Sequence, residues 1–220
     1  MDNRDHPVFI LGSERSGTNL LRTLLSNHSK ISGPPPPQII NTLYNKVRFY
    51  GDLSSEPNLN LLFEHFKGLA NHEFTKWNTG IELNEFKSKG ENIFLELLHY
   101  FYISFALSER KNRYVSKELN AHLYFEDIIN VYPNSKFIHI IRHPLEHVAS
   151  WMRTPLFSSD SREVINKWIE LNDSILNLKY LYPDKILTVK YEDLVNETKT
   201  TMTEVLMFIN ADIEAACFVN

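Results

Sequence analysis

The stretch Gly12-Ser-Glu-Arg15-Ser16-Gly17-Thr18-Asn19 spaces two glycines as G-x-x-x-x-G, with an arginine and hydroxyls around them. A turn of this kind, fed by a strand and running into a helix, cradles phosphate. Backbone N–H groups without intrahelical partners point at the anion, and the helix dipole adds its positive end. Gly17 permits close backbone approach, Ser16 and Thr18 offer hydroxyl donors, and Arg15 supplies a cationic fork. A nucleotide triphosphatase closes the motif with lysine and then serine or threonine, the lysine on the terminal phosphates and the hydroxyl on magnesium. Here Thr18 and Asn19 stand in those places. The pattern speaks against ATP or GTP hydrolysis and for an anionic donor handled without a metal.

The elements that must position this chemistry follow from periodicity. Residues 7–11 read as a buried parallel strand ending at Gly12, and Leu20, Leu21, Leu24 and Leu25 recur at helical spacing behind the turn. Residues 34–37 are four prolines, an extended loop. Residues 38–110 are mostly helical, with 93–107 as one buried helix. Strands are predicted at 112–117, 136–141 and 185–189, and helices at 124–131, 145–152, 164–178 and 200–209. Strands alternating with helices imply right-handed crossovers and a central parallel sheet flanked by helices, a three-layer α/β sandwich of P-loop type. Ligands in such sheets sit beyond the carboxyl ends of the strands. Arg142 and Lys117 fall at two of those ends, and Ser150 lies about two helical turns beyond Arg142.

The 220 residues fit a single domain, with 38–110 as a helical insertion, and 43% hydrophobic against 23% charged is ordinary globular composition. Lys+Arg 23 against Asp+Glu 27 gives a net charge of -4, so no global field favours nucleic acid or an anionic membrane. Cations must therefore converge locally to hold an anion. The single cysteine, Cys217, forms no intramolecular disulfide, residues 1–7 do not read as a signal, and no run reaches the roughly 18 residues of a membrane span. A cytoplasmic location is expected.

With these residues in view, the sequence resembles the PAPS-dependent sulfotransferases of the bacterial and tyrosylprotein type, PAPS being 3′-phosphoadenosine-5′-phosphosulfate. Arg15-Ser-Gly-Thr-Asn-Leu-Leu21 is similar to the family's R-S-G-T-T-L-L, with Asn19 for the second threonine. Tyr132-Pro-Asn-Ser-Lys-Phe-Ile-His-Ile-Ile-Arg142-His-Pro144 resembles F-P-x-[AS]-[RK]-F-[IL]-x-x-x-R-[DNH]-P, with Ser150 eight residues after the arginine. Val189-Lys-Tyr191-Glu-Asp-Leu-Val195 is similar to R-Y-E-D-L-V, and Val115-Ser-Lys117 to the K-[TS]-P strand end, from which Glu118 and Leu119 depart. The resemblance covers roughly residues 7–35 and 113–210.

The resemblance implies that Arg15, Ser16, Gly17, Thr18, Asn19 and the Leu20 backbone hold the 5′-phosphosulfate. It likewise implies that Arg142 and Ser150 hold the 3′-phosphate, that Tyr191 lies near the adenine and that Lys117 stands near the bridging oxygen. The product would be 3′-phosphoadenosine-5′-phosphate (PAP), no metal would take part, and acceptor pockets lie in the 38–110 region in this family. The acceptor could be a small molecule, a carbohydrate or a peptide. Many relatives continue past the position of Asn220 with a segment over the nucleotide, so a more open donor site is expected.

Sulfuryl transfer needs positioning, charge stabilisation and a base for the acceptor hydroxyl or amine. Relatives often carry the base in a phrase such as P-P-E; here the stretch reads Gly33-Pro-Pro-Pro-Pro-Gln38, without a carboxylate. Glu118 is the first candidate, with His122, Glu64, His65 and His72 as alternatives. Two other readings stay open: a P-loop small-molecule kinase, which the Thr18-Asn19 pair opposes, and a catalytically silent domain that binds PAPS or PAP, which the missing carboxylate leaves standing.

Overall fold

The computed structural model describes residues 6–77, 80–154 and 160–219. Five parallel strands form one sheet in the order β2-β3-β1-β4-β5, where β1 is Val8–Leu11, β2 Ile31–Ser32, β3 Arg113–Ser116, β4 Lys136–Ile141 and β5 Ile186–Lys190. β1 is central. Phe9 pairs with Ser116 of β3 on one side and Leu11 with His139 of β4 on the other, which sets the ends of three strands side by side.

The sheet is buried on both faces, and the alternation along β1 assigns the residues. Val8 and Ile10 enter one core with Leu21, Leu24 and Leu25 of α1 (Thr18–Ser26). The same core takes Leu194 of α8 (Tyr191–Asn196) and Met202, Val205 and Leu206 of α9 (Thr198–Phe208). Phe9 and Leu11 enter the opposite core with α2 (Ile39–Leu43), α3 (Glu56–Ala70), α4 (Ile93–Ser108), α5 (Phe125–Val131) and Ile175 of α7 (Ser161–Leu181). This is the three-layer α/β architecture expected from the strand-helix alternation. α6 (Pro144–Met152) begins on a proline, whose fixed φ suits the first helical turn.

Residues 38–110 contain α2, a 3₁₀ segment at Tyr44–Tyr50, α3 and α4. α3 and α4 join the same core as Phe9 and Leu11. The helix at Ile93–Ser108 matches the apolar run; its first turn is fixed by Asn92, whose side chain accepts from the Leu95 N–H at 3.1 Å. β2 was not legible, since two residues cannot display a period. No helix among the described residues is long and apolar enough to cross a membrane.

The proline run is held from both sides. Trp77 Nε1 donates to the Pro35 carbonyl at 2.8 Å, and Arg22 donates to the Gly33 carbonyl. Where the run ends, Gln38 adopts a left-handed φ of 59° and exchanges bonds with the chain after β3. The Leu119 N–H donates to Gln38 Oε1 at 3.0 Å, while the Ile40 N–H donates to Glu118 Oε2 at 3.0 Å.

Candidate active site

The turn after β1 requires its glycines. A Cβ on Gly12 would stand 2.6 Å from the Ile140 carbonyl oxygen, and one on Gly17, at φ 93°, would enter the Tyr191 ring. Arg15 also takes a left-handed φ, 67°, an uncommon conformation for a side-chain-bearing residue that recurs at functional turns. Gly17 is the N-cap of α1, so the first N–H groups of that helix open where the turn closes.

Three strand ends converge here. Arg142, just beyond β4, donates from Nη1 to the Arg15 carbonyl at 3.1 Å, and its guanidinium lies over the Tyr191 ring, 4.5 Å from the centroid. Its Nε is buried with no hydrogen-bond partner, and its other contact is an ion pair with Glu146 at 3.6 Å. Arg15 Nε donates to Ser150 Oγ at 3.3 Å. Ser150 therefore stands against the arginine of the turn, the residue whose carbonyl Arg142 also holds. Arg15, Gly17, Thr18, Asn19, Leu20, Arg142 and Tyr191 line one hollow of about 170 Å³. Ser16, between Arg15 and Gly17 in the turn, is 1% exposed.

Lys117 directly follows β3, 9% exposed, and makes no hydrogen bond or close ion pair among the described residues. Burial lowers its pKa, with Arg22 pushing the same way and the charges of Glu14 and Glu118 opposing. A largely buried ammonium with carboxylates acting on it only through space is costly, and a bound anion would offset that cost. Glu118 is deeper, 2% exposed. Tyr102 donates to its Oε1 at 2.8 Å and the Ile40 N–H to its Oε2, so both oxygens are committed. Burial pushes its pKa up to about 7, against these hydrogen bonds and the nearby Lys117.

A second, larger cleft of about 470 Å³ opens on the other side of the turn. Ser13 and Glu14 line it with His122, His147, Trp151 and Trp168, among others. No described residue of 38–110 lines it. His122, on the 3₁₀ turn Ala121–Tyr124, is 8% exposed, and burial lowers its pKa, so it is neutral near pH 7. Glu64, His65 and His72 are exposed residues on or just after α3 and line neither hollow; His65 Nδ1 pairs with the Tyr50 hydroxyl at 2.5 Å.

Two residues escaped the sequence reading. Ser13 Oγ lies 2.6 Å from Ser16 Oγ, and His147 Nδ1 lies 3.4 Å from each of them. The available signal was the spacing of His147 and Ser150, three apart on α6 and hence on one face.

Residues 7–215 match the sequence profile of the Sulfotransferase family. An uncharacterized protein of Aquifex aeolicus (strain VF5) is 27% identical over 220 residues, covering 92% of this chain and 25% of that protein, so the chain spans about a quarter of that curated relative. Among solved structures, the sulfotransferase domain from the Synechococcus PCC 7002 olefin synthase superposes with a TM-score of 0.63 at 24% identity, over 96% of this chain and 76% of that one. A mouse sulfotransferase complexed with PAP superposes with a TM-score of 0.52 at 14% identity, over 98% of this chain and 63% of that one. At these identities the two structures speak to the fold.

Proposed function

Because this chain belongs to the sulfotransferase family, we propose that it binds PAPS at the turn after β1 and transfers the sulfuryl group to a hydroxyl or amine acceptor in the 470 Å³ cleft. The observation that carries this reading is the convergence of Arg15, Arg142 and Tyr191 on one hollow, with the buried Lys117 just after β3, the strand paired to β1. The residues fit a doubly phosphorylated adenosine. Among the described residues the buried Arg142 Nε has no hydrogen-bond partner, the Lys117 ammonium forms no close ion pair, and Tyr191 offers an aromatic face or edge to a base.

In this reading the α1 N-terminus, Ser16, Thr18 and Arg15 bind the 5′ end, and Arg142, with Ser150 steadying Arg15, answers the 3′-phosphate. Bound donor supplies an activated sulfuryl group on a phosphate leaving group. Lys117 stands ready to balance charge growing on the leaving oxygen, where a fixed cation in a dry site acts most strongly. We assign removal of the acceptor's proton to His122, which lines the cleft and is neutral, in preference to Glu118, whose oxygens are engaged by Tyr102 and Ile40. The buried Cys217 and the absence of a required disulfide suit a reducing compartment such as the cytoplasm.

Thermal unfolding with 3′,5′-adenosine bisphosphate and with 5′-AMP tests donor recognition. The bisphosphate at 100 times its dissociation constant should add about 2.7 kcal/mol, and equal effects of the two nucleotides would count against the reading. Radiolabelled PAPS incubated with pooled acceptors tests transfer, and binding without any labelled product would favour the silent-domain alternative.

A further inference from the structure

His147 occupies a position that neither donor binding nor acceptor chemistry, as described above, requires. Its ring is 1% exposed and packs against Trp151 at 5.7 Å between centroids. One edge lines the larger cleft; the other presents Nδ1 equidistant, at 3.4 Å, from the hydroxyls of Ser13 and Ser16. Both distances exceed a settled O–H···N bond, whereas the serines, 2.6 Å apart, are firmly bonded to each other. The imidazole is thus shared between two hydroxyls at the base of the turn.

Counting protons shows what this sharing decides. Two hydroxyls carry two protons, one of which lies between the serines. If Nδ1 is bare, the second proton is drawn to it, and the pair offers an incoming anion only lone pairs. If Nδ1 carries a proton, it donates into the pair, and one hydroxyl proton turns outward. The charged and titratable groups around the ring are Arg15 and Glu14 of the turn, Arg142 beyond β4, His122, and Lys167 and Glu170 of α7. Burial, with Arg142 and Arg15, takes the imidazole pKa down to about 4. At neutral pH the ring therefore holds one proton, which resides on Nδ1 or Nε2.

We propose that His147 is a positioning residue for the donor turn: by donating from Nδ1 to the Ser13–Ser16 pair it turns a hydroxyl proton toward an anion bound there. The inference rests on the donor reading above, because an anion at the turn is what selects the tautomer. Ser13 thereby becomes part of the anion site through Ser16, and the tautomer of one buried ring sets whether the pair attracts or repels a phosphate.

The test uses the full chain and 3′,5′-adenosine bisphosphate as probe. Nitrogen-15 spectra of histidine-labelled protein should show His147 Nδ1 as the protonated, pyrrole-like nitrogen in the complex. By calorimetry His147→Leu should weaken bisphosphate binding about tenfold, and Ser13→Ala added to it should cost little more. His147→Asn, whose amide can donate from nearly the same place, should recover most of the affinity. An unprotonated Nδ1 in the complex overturns the proposal, as does a His147→Leu affinity within about twofold of wild type. Failure of the wild type itself to bind the bisphosphate would instead remove the donor reading on which the proposal stands.

Discussion

Arg142 and Tyr191 stack, guanidinium over ring at 4.5 Å, and the same ring fills the space a side chain on Gly17 would need. The contact ties the end of β4 to the start of α8, while the Arg142–Arg15 bond ties β4 to the turn after β1. Cation–π attraction of this kind is worth about 0.5–2 kcal/mol. It holds the arginine extended before any ligand arrives, which reduces the ordering cost of binding.

Replacing Arg142 by alanine should therefore weaken 3′,5′-adenosine bisphosphate binding about 10- to 100-fold, the worth of a charge-assisted contact, and leave 5′-AMP binding much less changed. Calorimetry with both nucleotides measures the difference. Arg142→Lys keeps the charge without the fork and should fall between.

His122→Asn should lower turnover about 10²- to 10⁴-fold with donor product affinity retained, because a base acts on the acceptor and not on the nucleotide. Single-turnover kinetics alongside calorimetry separates these effects. Unchanged turnover would return the base role to another group.

Glu118 sets a pH dependence of stability. Below about pH 4.5 its carboxyl is protonated whether the chain is folded or not; from there to about 7 the folded state alone keeps the proton. Stability from this group therefore declines as pH rises through that interval and levels off above it. His139 and His147, each held near 4 by burial, contribute the opposite slope, so wild type must be compared with Glu118→Gln. The stability of wild type relative to the variant should fall by about 3 kcal/mol between pH 4.5 and 7. A flat difference in denaturant titrations would refute it.

Lys117→Met should raise stability by about 0.5–2 kcal/mol while cutting turnover by about 10²-fold or more, since on the proposed reading it removes a buried cation whose role is in the reaction. Chemical denaturation and transfer assays on the same preparation check both signs. Loss of stability would mean that the ammonium has a structural partner.

Much of this was legible because apolar periodicity and punctuation agreed. The apolar run of 136–141 predicts a strand and forms β4, and the helix at Pro144 follows from that proline. Arg142 and Tyr191 could be brought together on paper because each directly follows a strand, and parallel strands gather such ends. What stayed hidden depends on side-chain direction. Nothing in the text around Glu118 announces that its carboxylate faces Tyr102 and Ile40, since those partners lie 16 and 78 residues away. His147 likewise reads as an ordinary helix residue until the fold sets Ser13 and Ser16, more than 130 positions earlier, against its ring.

The paired bonds between Gln38 and Leu119 and between Glu118 and Ile40 make a mechanical coupling of two regions far apart along the chain. A displacement at the start of α2 therefore pulls on the backbone immediately after Lys117, most firmly through the buried Glu118 carboxylate. The layer that begins with α2 is thereby yoked to the stretch of chain around Lys117.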